Sequence, residues 1–136
     1  MSRPFRFATQ TGPFHDASQL RVRAQEIEAF GYEELYSSDH IGMAAGPNSV
    51  DPFVALIIAA EATTTLRVGP LVLNNEFHQP ALLARTVISV DQMTQGRLVL
   101  GMGTGYAQAE HEAIGVRLRA PGPRVTRFGE SLQVLR

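Results

Sequence analysis

A segment with strand character recurs about every 30 residues along this chain. The segments begin near Phe5, Glu34, Arg67 and Arg97, and a stretch with helical spacing of apolar residues follows each. That period is the length of a strand, a helix and two short connections, so it predicts consecutive βα units. Parallel strands need crossover connections and are covered on both faces. The chain is therefore restricted to a doubly wound sheet or to part of a (β/α)8 barrel.

Local signals place the elements. The first strand is expected over Phe5 to Thr9, ending in the turn Thr11-Gly12-Pro13. Asp16 then caps a helix with Gln19 as its capping-box partner. Leu20, Ala24 and Ile27 form that helix's buried stripe, and Gly31 ends it. The second strand, Glu34 to Ser37, delivers Ser38-Asp39-His40 at its carboxyl end, before a loop with Gly42, Gly46 and Pro47. Asp51-Pro52 is an N-cap followed by proline at the first helical position, opening a helix that runs to about Thr64. The third strand, Arg67 to Leu73, is almost continuously aliphatic, except that Pro70 removes a ladder donor and predicts an irregularity or an edge. Pro80 opens the next helix, with Leu83, Val87 and Val90 inward and Gly96 closing it. Arg97 to Leu100 form the fourth strand and run into Gly101, Gly103 and Gly105. Ala107 to Ile114 is expected to be helical, Ala120-Pro-Gly-Pro123 to be a break, and Val125 to Arg136 to be a last helix with Phe128, Leu132 and Leu135 inward.

The glycine run at the end of the fourth strand has two readings. It makes a tight strand-to-helix turn, or it lets backbone N–H groups approach an anionic or planar ligand. A dinucleotide-binding fingerprint is missing, because Gln10-Thr11-Gly12-Pro13 follows the first strand and Tyr106 stands where the later run would need glycine. A barrel carries its functional groups at the carboxyl ends of its strands. Asp39-His40, the Asn74 loop and the Gly103 turn all fall there, which favours the barrel.

Composition removes other classes. A net charge of −1 supplies no basic field for nucleic acid or for a membrane surface, and the absence of cysteine excludes disulfides and a thiol nucleophile. Hydrophobic content of 44% with 18% charged residues is that of a soluble globular chain. No apolar run approaches the roughly 18 residues that a membrane helix requires, and no signal-peptide core follows Met1, so a cytoplasmic location is expected.

Ser38-Asp39-His40, Leu66-Arg-Val-Gly69 with Leu71-Val-Leu-Asn-Asn75 and Pro80, and Gly96-Arg-Leu-Val-Leu-Gly-Met-Gly-Thr-Gly105 together resemble the luciferase-like flavin and deazaflavin oxidoreductases. The resemblance covers Phe5 to Arg136 and looks most like the branch that uses coenzyme F-420, with FMN-dependent members as the near alternative. It implies a (β/α)8 TIM-barrel type, of which this chain holds only the first four βα units, a half-barrel. Residues 1–136 would be a single luciferase-like domain, truncated at its carboxyl end.

The resemblance also implies roles. His40 would be the acid–base residue, a task that suits an imidazole titrating near neutrality. Asp39 would bind the deazaflavin or orient its partner; a capped turn with a solvated histidine explains the same pair of residues. A non-proline cis peptide is expected at Leu71-Val72 or one bond later, backing the coenzyme ring. Asn74 and Asn75 would bond the ring edge or the coenzyme tail, although turn formation explains them too. Gly103, Thr104 and Gly105 would lie along the coenzyme. Tyr106, on the substrate side, replaces the glutamate that serves as proton donor in sugar-phosphate dehydrogenases of the family, which argues against that substrate. His78 and His111 read as surface residues, and no metal site is expected.

The implied reaction is hydride transfer between coenzyme F-420 and a small organic substrate. FMN on the same scaffold would support monooxygenation. A complete barrel needs about 250 residues, so an inactive truncated fragment or a half-barrel assembly module is the rival from another class. Exposed strand edges predict a homo-oligomer, with neither nucleic acid nor membrane as a partner.

Overall fold

The structure is a computed structural model that describes residues 5–12, 14–41 and 50–136. Residues 1–4, Pro13 and the loop of Gly42, Gly46 and Pro47 lie outside the described residues. The described residues form five short strands and five helices, mostly in alternation, with a 3-10 turn at Asn75–Phe77. The strands are β1 (Ala8–Gln10), β2 (Glu34–Ser37), β3 (Arg67–Pro70), β4 (Leu73–Asn74) and β5 (Met102–Gly103). The helices are α1 (Ala17–Ala29), α2 (Pro52–Glu61), α3 (Pro80–Met93), α4 (Gln108–Ala113) and α5 (Pro121–Val134).

Every described strand pair is parallel. β1 pairs β2 with Thr9 opposite Leu35, and β2 pairs β3 with Leu35 opposite Val68. Beyond β3 the ladder continues in two pieces, a bridge from Val68 to Leu98 and the pairing of β4 with β5, with Asn74 opposite Gly103. Neighbours therefore follow chain order, and a doubly wound sheet would instead reverse that order at a switch point.

The irregularity expected at Pro70 separates β3 from β4, and the Leu71–Val72 peptide is cis. Pro70 does not mark an edge, because β3 lies between β2 and the segment through Leu98. Where the two segments meet, a Cβ on Gly69 would stand 1.9 Å from the Val99 carbonyl oxygen, so only glycine lets these backbones approach. The same interruption explains why Arg97 to Leu100 form a single bridge and not the full strand expected there.

Several helix signals act as read. Asp16 Oδ1 accepts from the Ser18 and Gln19 amides, at 2.8 and 2.9 Å. Gln19 returns its side chain to the His15 amide at 3.1 Å, one residue before the usual capping-box position. Asp51 Oδ1 accepts from Phe53 N at 2.9 Å ahead of Pro52. Two boundaries move. β1 starts at Ala8, and Phe5 and Phe7 are 90% and 64% exposed, because pairing with β2 begins only at Glu34. The expected break at Pro121-Gly-Pro123 is the first turn of α5, where amides have no intrahelical partner and proline loses nothing.

Two apolar clusters hold these layers. Ala24 and Ile27 of α1 and Leu56, Ala59 and Ala60 of α2 close over Leu35, Leu66 and Val68. Small alanines at the contact let the helices approach the sheet closely. Phe53, Leu73, Leu83 and Val90 form the second cluster under α3, joined by Leu98, Leu100 and Leu135. Each fully buried leucine stabilises by roughly 1.5–3 kcal/mol. None of the described helices is long and apolar enough to cross a membrane.

Candidate active site

The parallel register brings the carboxyl ends of β2, β4 and β5 to one side, and a cleft of about 320 Å³ opens there. Its walls are Asp39 and His40 after β2, Leu71 to Asn74 at the interrupted third segment, and Gly103 to Tyr106 after β5. Ala107 and Glu110 complete it from the amino-terminal side of α4. A larger open groove of about 610 Å³ runs beside α1 and contains none of these strand-end residues.

Asp39 is engaged within the protein. Its Oδ2 accepts from the Asn74 amide at 2.9 Å and stands 3.1 Å from His78 Nε2. The loop after β2 is thereby tied to β4. His40 Nδ1 stands 2.8 Å from Glu110 Oε1, and the Tyr106 ring meets the imidazole edge-on with centroids 6.1 Å apart. Glu110 is only 3% exposed, so its carboxylate sits in a setting where a charged partner counts for more than at the surface. Glu110 is absent from the sequence reading. No sequence signal joins it to His40, because the two are 70 residues apart and Tyr106 stands ahead of the Ala107 N-cap, where helical spacing does not yet apply.

Asn74 is more constrained than its sequence context suggests. Its Oδ1 accepts from the Glu76 amide at 3.0 Å, and its Nδ2 lies 3.0 Å from His111 Nε2. His111 Nδ1 lies 3.2 Å from the Val116 carbonyl, which can only accept. The ring proton is therefore on Nδ1, and Nε2 accepts from Asn74. This side chain holds the turn from a position on the cleft wall. Asn75 is buried in the same 3-10 turn and is not on the cleft wall.

Two expectations need correction. His111 is fully buried, and His78 keeps only 26% of its side chain exposed while bonded to Asp39. Neither is a surface residue, because the Asn74 turn folds back between α4 and the strand ends and encloses both. Gly105 also meets a requirement within the protein. It has φ +79°, and an added Cβ would stand 2.2 Å from Asn74 Oδ1. The missing side chain makes room for the protein's own amide.

Behind the wall, Glu76 has a fully buried side chain and takes Arg119 Nη1 at 2.6 Å. Arg127 Nε lies 3.4 Å from Glu76 Oε1, an ion pair by distance without hydrogen-bond alignment. Arg127 also donates to the His78 carbonyl at 2.8 Å, and Arg124 donates to the Gly105 carbonyl. α5 is thus bolted to the back of the cleft. Among the described residues no cluster is arranged to hold a metal ion.

The scaffold is a parallel α/β one with a partly apolar cleft at its strand ends and an imidazole–carboxylate pair inside it. The sequence pattern of the luciferase-like monooxygenase family matches residues 2–136, and the chain belongs to that family. It is 32% identical over 112 residues to a 4-hydroxyprotoasukamycin monooxygenase of Streptomyces nodosus subsp. asukaensis, covering 82% of this chain and 29% of that protein. It is 29% identical over 132 residues to an F420-dependent glucose-6-phosphate dehydrogenase of Amycolatopsis mediterranei, covering 95% of this chain and 38% of that protein. The fold is similar to that of the monooxygenase RslO1 from Streptomyces bottropensis, with TM-score 0.81 and 23% identity over 96% of this chain and 42% of that one. The chain thus spans less than half the length of these relatives.

Proposed function

We propose that this chain carries the coenzyme-facing half of an oxidoreductase that transfers a hydride between coenzyme F-420 and a small organic substrate. The observation that carries the reading is the convergence of Asp39, His40, Leu71, Val72, Asn74, Gly103, Thr104, Gly105 and Tyr106 on a single cleft, with Glu110 against His40. The cleft suits the ring of such a coenzyme. Leu71 and Val72 are 45% and 41% exposed and offer an apolar face to a planar group. Among the described residues no arginine or lysine lines the cleft to meet a phosphate, so these residues fit the ring and not the charged tail.

When bound, the deazaflavin supplies a ring carbon that takes or returns a hydride. The chain's own residues do the rest. Leu71 and Val72 exclude water from one side of the ring. Asp39, pinned by Asn74 and His78, fixes the loop that presents His40. His40 takes up the proton that leaves a substrate hydroxyl as the adjoining carbon loses hydride, and returns it in the reverse direction. Tyr106, 75% exposed beside His40, faces the substrate.

The architecture we read is the first four βα units of a (β/α)8 barrel. β1 and the segment through β5 have open outer edges among the described strands, and these would pair with a second copy. Likeness to a monooxygenase favours monooxygenation as the second reading, with FMN as the coenzyme it would need.

A fluorescence titration of the 136-residue protein with coenzyme F-420, beside FMN, tests the proposal. Saturable binding of F-420 in preference to FMN is expected, and His40→Ala should abolish turnover while leaving that binding intact. Preference for FMN would transfer the reading to the monooxygenase branch. No binding of either by the folded protein would leave an inactive fragment or an assembly module.

A further inference from the structure

We propose that Glu110 is a positioning residue that holds His40 in one tautomer and one ring plane. This rests on the reading of His40 as the proton-handling group. The two residues are 70 apart in sequence, yet their side chains meet at 2.8 Å. They come from different elements, the loop after β2 and α4, so local geometry does not force the contact.

The chemistry of the pair sets its consequence. An ionised carboxylate has lone pairs only, so the hydrogen between Glu110 Oε1 and His40 Nδ1 belongs to the imidazole. The neutral ring then carries its lone pair on Nε2. A base that is to take a proton needs that pair on a defined nitrogen, and a carboxylate behind the other nitrogen is the common way to set it. Burial makes the hold strong, since Glu110 has little water to exchange with. Among the described residues, Glu110 from α4, Tyr106 from the glycine turn and the adjoining Asp39, which is turned to Asn74 and His78, are charged or titratable groups near His40. Of these only Glu110 lies at hydrogen-bond distance from Nδ1.

Nitrogen-15 NMR of the histidine ring nitrogens, recorded at alkaline pH on the intact 136-residue chain without coenzyme, reads the tautomer directly. The His40 signals are assigned by their loss in His40→Gln. The expected result is the Nδ1–H form in the wild type, its retention in Glu110→Gln, whose amide oxygen still accepts, and a change to predominantly Nε2–H in Glu110→Ala. An Nε2–H ring in the wild type, or an unchanged Nδ1–H ring in folded Glu110→Ala, would overturn the assignment. If Glu110→Ala does not fold, the wild-type spectrum decides alone by the same criterion. Because no coenzyme is present, a failure of the hydride-transfer reading appears only in the binding titration, and a failure of the Glu110 role only in this spectrum.

Discussion

At the residue scale, Glu28 shows how one carboxylate can join elements that are far apart in sequence. Its Oε1 accepts from the Thr64, Thr65 and Leu66 amides at 2.9, 2.6 and 3.0 Å, which ties the end of α1 to the connection entering β3. Desolvation by itself raises the pKa of this carboxyl. The Thr65 amide and hydroxyl, with the Leu66 and Thr64 amides, outweigh it, and the net result is a lowered pKa. A lowered folded-state value contributes stability above the ordinary carboxyl value of 4.5, and that stability is lost as pH falls through the lower folded value. Glu28→Gln should therefore cost about 1–2 kcal/mol near neutral pH, with the gap to wild type closing in acid. Urea midpoints measured across that range check both parts, and a gap that widened in acid would contradict the sign.

At the element scale, Arg97 occupies the place where two helices end. Its guanidinium donates to the Ala60 carbonyl in the last turn of α2 at 2.7 Å, to the Thr63 carbonyl just beyond it at 3.2 Å, and to the Thr94 carbonyl after α3 at 2.9 Å. Carbonyls in the last turn of a helix have no intrahelical partner, and a cation there also meets the negative end of the helix dipole. A planar fork reaches several carbonyls at once, which a lysine does not. Arg97→Ala should lower stability by about 2 kcal/mol or more, and Arg97→Lys should recover less than half of the loss. Thermal melts of the three proteins decide this, and equal melting of the lysine variant and wild type would reduce the site to simple charge.

At the scale of the whole molecule, the open strand edges and the exposed Phe5 and Phe7 beside β1 are the features most at odds with a solitary domain. Unpaired edges invite pairing with another chain. Small-angle scattering and size-exclusion chromatography of the 136-residue protein should report a dimer or larger species. Introducing Lys at Phe7 should shift it toward monomer without unfolding it, since that side chain is already 64% exposed. A wild-type monomer at high concentration would remove self-association from the reading.

Much of this protein is legible in the sequence because the signals are local. Asp16, Asp51 and the prolines at 52 and 80 start helices through bonds to residues two or three positions away. The βα period predicts parallel strands whose ends gather in one place, and nine residues singled out by motif resemblance line one cleft. The remainder depends on register. His111 is buried, and Asn74 is locked to it, only because β4 and β5 align Asn74 with Gly103 and carry α4 over the strand ends. Glu110 looks like one more acidic residue on a short helix until that placement brings it to His40. Near-neighbour chemistry is written in the order of the residues. Which distant side chains share a buried space is decided by packing, and here only the folded chain shows that the histidine at the cleft has a carboxylate behind it.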